Sequence, residues 1–143
     1  MIPYLFVVAA AIASLGIIRA YKKAHNSILE GRGDAAKIQS KFFLHVAIIE
    51  ALPIILLVIG LVLAEGQTFS MEEIYIPLAI VIGLFIFNAI IVFSQISQVK
   101  HLRNSKQIEE HTLHAARGIS FIAIALSNAV PIISLVFMIM ITS

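Results

Sequence analysis

The residue whose type and position most clearly suggest chemistry is Glu50, an acidic side chain inside a long apolar stretch. Residues 43–64 are apolar over almost their whole length, and Glu50 lies about 10 Å along them at a helical rise of roughly 1.5 Å per residue. A charged side chain at membrane depth costs about 2.5–3.5 kcal/mol, and taking up a proton removes that charge. The position therefore predicts a carboxyl group that carries a proton. The alternative is a glutamate that only hydrogen-bonds a neighbouring helix and holds the helices together.

A later apolar stretch repeats the pattern around this glutamate. Residues 43–55 align without gaps with residues 121–133, and both copies place a proline three residues after a polar residue. The other two prolines also match each other, because Ile2-Pro3 and Ile76-Pro77 are expected to open the first and third helices, where proline is well tolerated. Repetition of this kind predicts a duplicated helical hairpin.

In the second copy, Asn128 takes the place of Glu50 and Pro131 takes the place of Pro53. An amide does not titrate, so we interpret Asn128 as part of a degenerate second site. There it could join two helices through a hydrogen bond to Asn88. Pro53 has no N–H to donate to the carbonyl four residues earlier, which leaves polar capacity free beside Glu50.

Four apolar stretches must position these residues, and their lengths decide the class of protein. The chain has 143 residues, of which 60% are apolar and only 13% are charged, and this excludes an ordinary soluble domain. A membrane-spanning helix needs roughly 17–25 apolar residues. The stretches that meet this requirement are residues 2–18, 43–64, 75–96 and 119–142. The sequence therefore predicts an all-α membrane protein of two fused transmembrane hairpins.

The division of the chain follows from these stretches. We expect a first hairpin over residues 1–64 that carries Glu50, an external turn over residues 65–74, and a second hairpin over residues 75–143 that carries Asn128.

The basic residues predict the orientation of the chain. All Lys and Arg residues fall in the connections 19–41 and 97–118, and the turn 65–74 has none. Because cytoplasmic loops carry the Lys/Arg excess, both connections should be cytoplasmic, with the termini and the turn outside. The basic side chains are expected to meet anionic headgroups of the lipid bilayer rather than nucleic acid.

The remaining residues indicate no catalytic chemistry. The chain has no cysteine, no phosphate-binding glycine loop, no catalytic triad and no metal-binding cluster, so we expect a non-catalytic subunit without a metal or cofactor. His45 is expected at the membrane edge. The other histidines lie in the connections and are expected to be solvated: His25, His101, His111 and His114.

The segment Glu50-Ala51-Leu52-Pro53-Ile54-Ile55 closely resembles the ion-carrying helix of the rotor-ring c-subunit, or proteolipid, of F-type ATP synthases. The doubled hairpin resembles the four-helix proteolipids of V-type and some bacterial sodium or proton ATPases. The resemblance implies a homo-oligomeric ring in which Glu50 binds the ion, a stator subunit that supplies an Arg, and a rotor stalk that contacts the connections 19–41 and 97–118. It further implies a bacterial or archaeal plasma membrane and four supporting residues: Ala51, Pro53, Ser14 and Gly16.

Several positions depart from the family pattern. The small residues of the first helix are mostly alanine, where the family has a glycine ladder. Arg19-Ala20-Tyr21 stands where the family often has Gln-Gly-Tyr, and Ala51 supplies no hydroxyl group after Glu50. Both changes favour a proton over sodium. Arg32-Gly33-Asp34 replaces the family's Arg-Gln-Pro in the first loop.

These observations support one leading hypothesis and two alternatives. The leading hypothesis is a proton-translocating rotor-ring subunit of a rotary ATPase with one carboxylate per four helices, a ratio that suits a pump. The first alternative is a non-translocating ring that serves as a scaffold or pore for another complex. The second is a small four-helix proton-coupled exporter that works as a dimer.

Overall fold

The computed structural model of the chain describes residues 1–31, 33–104 and 110–142. These residues form four helices, which are α1 (Ile2–Leu29), α2 (Ala35–Ala64), α3 (Met71–Asn104) and α4 (Glu110–Met140). Each helix is long and apolar enough to cross a membrane. The predicted all-α fold with four membrane-spanning helices is confirmed.

The helices extend beyond the apolar stretches, so much of each basic connection is helical. α1 continues to Leu29 and α2 begins at Ala35, both within the segment 19–41. A helix satisfies its own backbone N–H and C=O groups, so it need not end where the hydrocarbon ends. Arg32 of the tripeptide Arg32-Gly33-Asp34, and residues 105–109 of the second connection, lie outside the described residues.

Side-chain caps explain where two of the helices begin. The Oδ1 atom of Asp34 accepts a hydrogen bond from the N–H of Ala36 at 3.2 Å, which caps α2. Before α3, the N–H and the hydroxyl of Ser70 both donate to Oε2 of Glu73, at 2.8 and 3.1 Å. Because this cap starts α3 at Met71, the expectation that Pro77 opens the third helix is wrong, and Pro77 lies inside it.

The four helices pack as a strip of two rows. α1 packs extensively against α2 and α4, and α4 also packs extensively against α3. Following these contacts from one end of the strip to the other gives the order α2, α1, α4, α3, with successive helices in opposite rows. α1 also contacts α3 within one row, and α2 makes a smaller contact with α4 within the other. In the part of the chain that the structure describes, α2 and α3 do not touch. α4 therefore packs extensively against two helices, α1 and α3, whereas α2 packs extensively against α1 alone.

Small residues allow α1 to lie at the centre of this strip. Ala9, Ala10 and Ala13 are fully buried, and small side chains let helix backbones approach closely. At Gly16, an added Cβ atom would come within 2.6 Å of Cγ2 of Ile49 on α2. The contact between α1 and α2 therefore depends on the absence of a side chain at Gly16.

The outer surface of the strip is strongly apolar. The most apolar windows of α2 and α3 are only 22% buried, compared with 50% for that of α1. Exposed apolar side chains cover the face of α2 that points away from α1, as Ile48, Leu52 and Ile55 show. Such a surface fits lipid or further copies of the chain rather than water.

Candidate functional site

Glu50 lies near the midpoint of α2, at the edge of the stripe that faces α1. The preceding residue, Ile49, packs against Gly16 of α1, and one helical step turns the next side chain about 100° away from that contact. Glu50 is accordingly half-buried, and the residues that follow it, Ala51 and Leu52, are exposed. The carboxyl group therefore sits on the flank of an apolar outer helix.

No hydrogen bond or ion pair joins the Glu50 carboxyl to any other residue that the structure describes. Arg19, the basic residue at the end of the first apolar stretch, is exposed and is not paired with it. The alternative in which Glu50 only ties two helices of the bundle together therefore receives no support from the contacts within one chain.

The four predicted supporting residues do not form one group around Glu50. Gly16 lies at the α1–α2 contact beside Ile49, and Pro53 is buried one turn further along α2. Ala51 is exposed. Ser14 is fully buried, and its hydroxyl bonds to a side chain of α3. It therefore belongs to a second polar cluster.

This second cluster, which we call the amide cluster, joins α1, α3 and α4 in the interior of the strip. The Nδ2 atom of Asn88 lies 3.0 Å from Oγ of Ser14, 3.0 Å from the carbonyl of Ser127 and 3.1 Å from Oδ1 of Asn128. Asn88 is fully buried and Asn128 is 5% exposed. One amide nitrogen thus stands at the centre of three oxygen acceptors.

Sequence reasoning paired Asn88 with Asn128 but did not place Ser14 and Ser127 beside them. A signal for Ser14 was present in the repeat. Ile2-Pro3 and Ile76-Pro77 are offset by 74 positions (76 − 2), and Ser14 and Asn88 are separated by the same interval. The two residues therefore occupy equivalent places in α1 and α3. The Ser127 group is a backbone carbonyl, which side-chain patterns do not reveal.

Further polar contacts link α1 to α4 along their lengths. The hydroxyl groups of Tyr21 and Ser120 share a hydrogen bond of 2.7 Å, and the Ser134 hydroxyl donates to the Phe6 carbonyl at 3.1 Å. Both serines are fully buried. These bonds and the amide cluster hold the second hairpin to α1.

The expectation that His25 is solvated is wrong. Its side chain is fully buried, and its ring lies 5.3 Å from the ring of Tyr21. Neither ring nitrogen has a hydrogen-bond partner among the described residues. The reason is that α1 continues as a helix through the basic connection, so every residue on its inward face stays inside the bundle. His101, His111 and His45 are exposed.

The two aligned positions therefore differ in their surroundings. Glu50 lies on the flank of a helix that packs extensively against α1 alone, and it has no bonded partner in the described chain, whereas Asn128 is enclosed between helices and bonded to Asn88. The first position could exchange a proton with a group outside the chain. The second is enclosed, and its side-chain oxygen accepts a hydrogen bond from Asn88.

Four apolar helices, each long enough to span a membrane, define the class of integral membrane proteins, and Glu50 lies halfway along one of them. Residues 3–63, which contain Ser14, Gly16 and Glu50, match the model of the ATP synthase c-subunit family. The resemblance stated from the sequence is thereby confirmed for the first hairpin. The match ends before α3, and the four apolar helices fit a duplicated form of that subunit.

No curated protein sequence and no solved structure matches the chain. The family model is therefore the comparison that bears on function.

Proposed function

We propose that the chain is a proton-translocating rotor-ring subunit of a rotary ATPase, and that Glu50 carries the proton. The observation that supports this most strongly is the position of Glu50 in the family-matched hairpin, half-exposed on an apolar helix and without a bonded partner in the described chain. A carboxyl group in that place can stay protonated against hydrocarbon and lose its proton when an aqueous path or a cation arrives.

The cation would be an Arg of a stator subunit, because no basic residue of the described chain pairs with Glu50. A proton is favoured over sodium as the coupling ion. Hard metal cations need several oxygen ligands, and no second oxygen ligand accompanies the Glu50 carboxylate within the described part of one chain. Ala51 has no hydroxyl to offer, and Ser14 is engaged in the amide cluster.

The unequal packing of α2 and α4 supports assembly into a ring. α4 packs between α1 and α3, whereas α2 packs on α1 with no counterpart of α3 beside it. If α3 of a second copy lay against the free flank of α2, then α2 would pack between two helices, as α4 does within one chain. That contact joins two different surfaces, and a head-to-tail contact repeated around an axis closes into a ring.

Within such a ring α1 and α3 form one row and α2 and α4 the other, with one protonatable carboxyl for every four helices. Fewer protons per turn mean fewer protons per ATP, which suits a pump driven by ATP hydrolysis. The short link around residues 30–34 and the second basic connection would face the cytoplasm and the rotor stalk, with both termini on the opposite side.

Labelling with dicyclohexylcarbodiimide tests the role of Glu50, because this reagent modifies protonated carboxyl groups in apolar surroundings. We expect peptide mapping by mass spectrometry to place the adduct on Glu50 in vesicles at neutral pH, with less adduct as the pH rises. Glu50→Gln should abolish the adduct. The control Glu65→Gln, which removes an exposed acid at the end of α2, should leave it unchanged.

A Glu50 that stays unlabelled at every pH would contradict the proposal. That outcome would favour the non-translocating ring, in which the carboxyl has no exchangeable proton.

A further inference from the structure

A groove opens between α1 and α2 at the end of the membrane span that carries the basic residues. It is an open surface groove with a volume of about 280 Å³. Four of its lining residues are apolar or lack a side chain, namely Gly16, Ala20, Ile48 and Ile49. The other three are the basic residues Arg19, Lys23 and His45. The groove is therefore apolar along one part and basic along the other.

Local sequence explains why the groove exists. Ala20 has only a single methyl group, so α1 leaves space beside α2 one turn beyond the tight contact between Gly16 and Ile49, which closes one end of the groove. Arg19 and Lys23 stand four residues apart, on one face of the same helix, at the edge of this space. Like charges at that spacing repel each other, and a bound anion would relieve the repulsion.

Nothing in the described chain supplies that anion. No acidic side chain forms an ion pair with Arg19 or Lys23 among the described residues. The helix that a neighbouring copy would place beside α2 offers no acid near the groove, because the two glutamates of α3, Glu72 and Glu73, lie in its first turn at the opposite end from the basic residues, and residues 74–104 contain no Asp or Glu. The membrane itself offers the missing group, since anionic phospholipids are enriched on the cytoplasmic side, where basic connections are expected.

We propose that this groove binds one anionic phospholipid. Its phosphate contacts Arg19, Lys23 and His45, and an acyl chain lies over Gly16 and Ala20 against Ile48 and Ile49. Arg and Lys reach a phosphate readily from a helix end, because their aliphatic stems lie on apolar surface while the charged groups stay at the headgroup level. This binding requires neither the ring nor proton transfer at Glu50.

Native mass spectrometry of the purified full chain in neutral detergent tests the site. Phosphatidylglycerol and phosphatidylcholine with the same acyl chains are titrated separately, and lipid-bound protein is counted. We expect preferential binding of one phosphatidylglycerol. Arg19→Gln/Lys23→Gln should weaken that binding about 30-fold, the equivalent of about 1 kcal/mol for each cation. Lys37→Gln/Lys41→Gln, which changes the net charge equally at exposed positions outside the groove, should leave it unchanged.

Two further arms identify the occupant. Ala20→Phe keeps both cations but fills the apolar part, and it should abolish the preference for phosphatidylglycerol if an acyl chain lies there. Millimolar inorganic phosphate should fail to displace the lipid. Three results would each overturn the proposal. The first is an equal loss of binding in the two double variants, and the second is equal binding of the two lipids to the unmodified chain. The third is displacement of the lipid by free phosphate combined with normal phosphatidylglycerol binding to Ala20→Phe.

Discussion

The amide cluster offers a sharp test of how the two hairpins are held together. Asn88 has two amide protons and three acceptors within 3.1 Å, so it makes at most two full hydrogen bonds at a time. Hydrogen bonds between membrane helices contribute about 0.6 kcal/mol on average and rarely more than about 1.7 kcal/mol. Asn88→Ala should therefore lower the free energy of unfolding by about 1–3 kcal/mol.

The matched control is Asn104→Ala, the same substitution at an exposed position near the end of the same helix, which should change the free energy of unfolding by less than about 0.5 kcal/mol. The assay is reversible unfolding in mixed micelles of a mild detergent and dodecyl sulfate, followed by circular dichroism. A cycle that combines Asn88→Ala with Asn128→Ala should give a coupling energy of about 0.6 kcal/mol between the two side chains. An Asn88→Ala variant as stable as Asn104→Ala would refute the reasoning.

Two further predictions concern the packing of α1. Gly16→Ala should destabilise the fold by about 1–3 kcal/mol, because the new Cβ would meet Ile49 at 2.6 Å, whereas Gly83→Ala, with nothing within 4 Å, should be neutral or stabilising by up to about 1 kcal/mol in the same unfolding assay. Tyr21→Phe removes the bond to Ser120 and should cost about 0.6 kcal/mol or somewhat more, while Tyr75→Phe at an exposed position should cost nothing measurable. Equal stabilities within either pair would contradict the packing described for α1.

The class of fold was predictable because membrane helices follow from length and composition, whereas the role of Glu50 stays a prediction. A long apolar run is compatible with few structures other than a membrane-spanning helix. An acidic residue inside such a run is noticeable because burying its charge in a membrane is energetically unfavourable. The repeat around Pro53 and Pro131 indicated two similar hairpins. The pairing of Asn88 with Asn128 was also accessible, since buried amides seek partners.

The start of α3, the burial of His25 and the different surroundings of Glu50 and Asn128 could not be predicted from the pattern of apolar residues. Pro77 marked the wrong helix start because the Ser70–Glu73 cap, made by polar residues outside the apolar stretch, begins α3 earlier. His25 was expected in water because the basic residues around it suggested a loop, yet the helix continues and keeps one face inward. The different surroundings of Glu50 and Asn128 depend on which helices lie beside α2 and α4, and this tertiary arrangement is not written in either helix alone.

The central claim is that copies of the chain pack head to tail, with α3 of one copy against the Glu50-bearing α2 of the next. The chain has no native cysteine, and α2 and α3 do not touch in the described part of one chain, so a disulfide between them reports contact between copies. Ile48→Cys combined with Ile90→Cys places one thiol on the exposed face of each helix. We predict that mild oxidation of this double variant in membranes gives a ladder of covalent oligomers, while each single variant stops at a dimer at most. The same test is repeated with other pairs of exposed positions on α2 and α3. If every double variant stays monomeric after oxidation, the ring is contradicted.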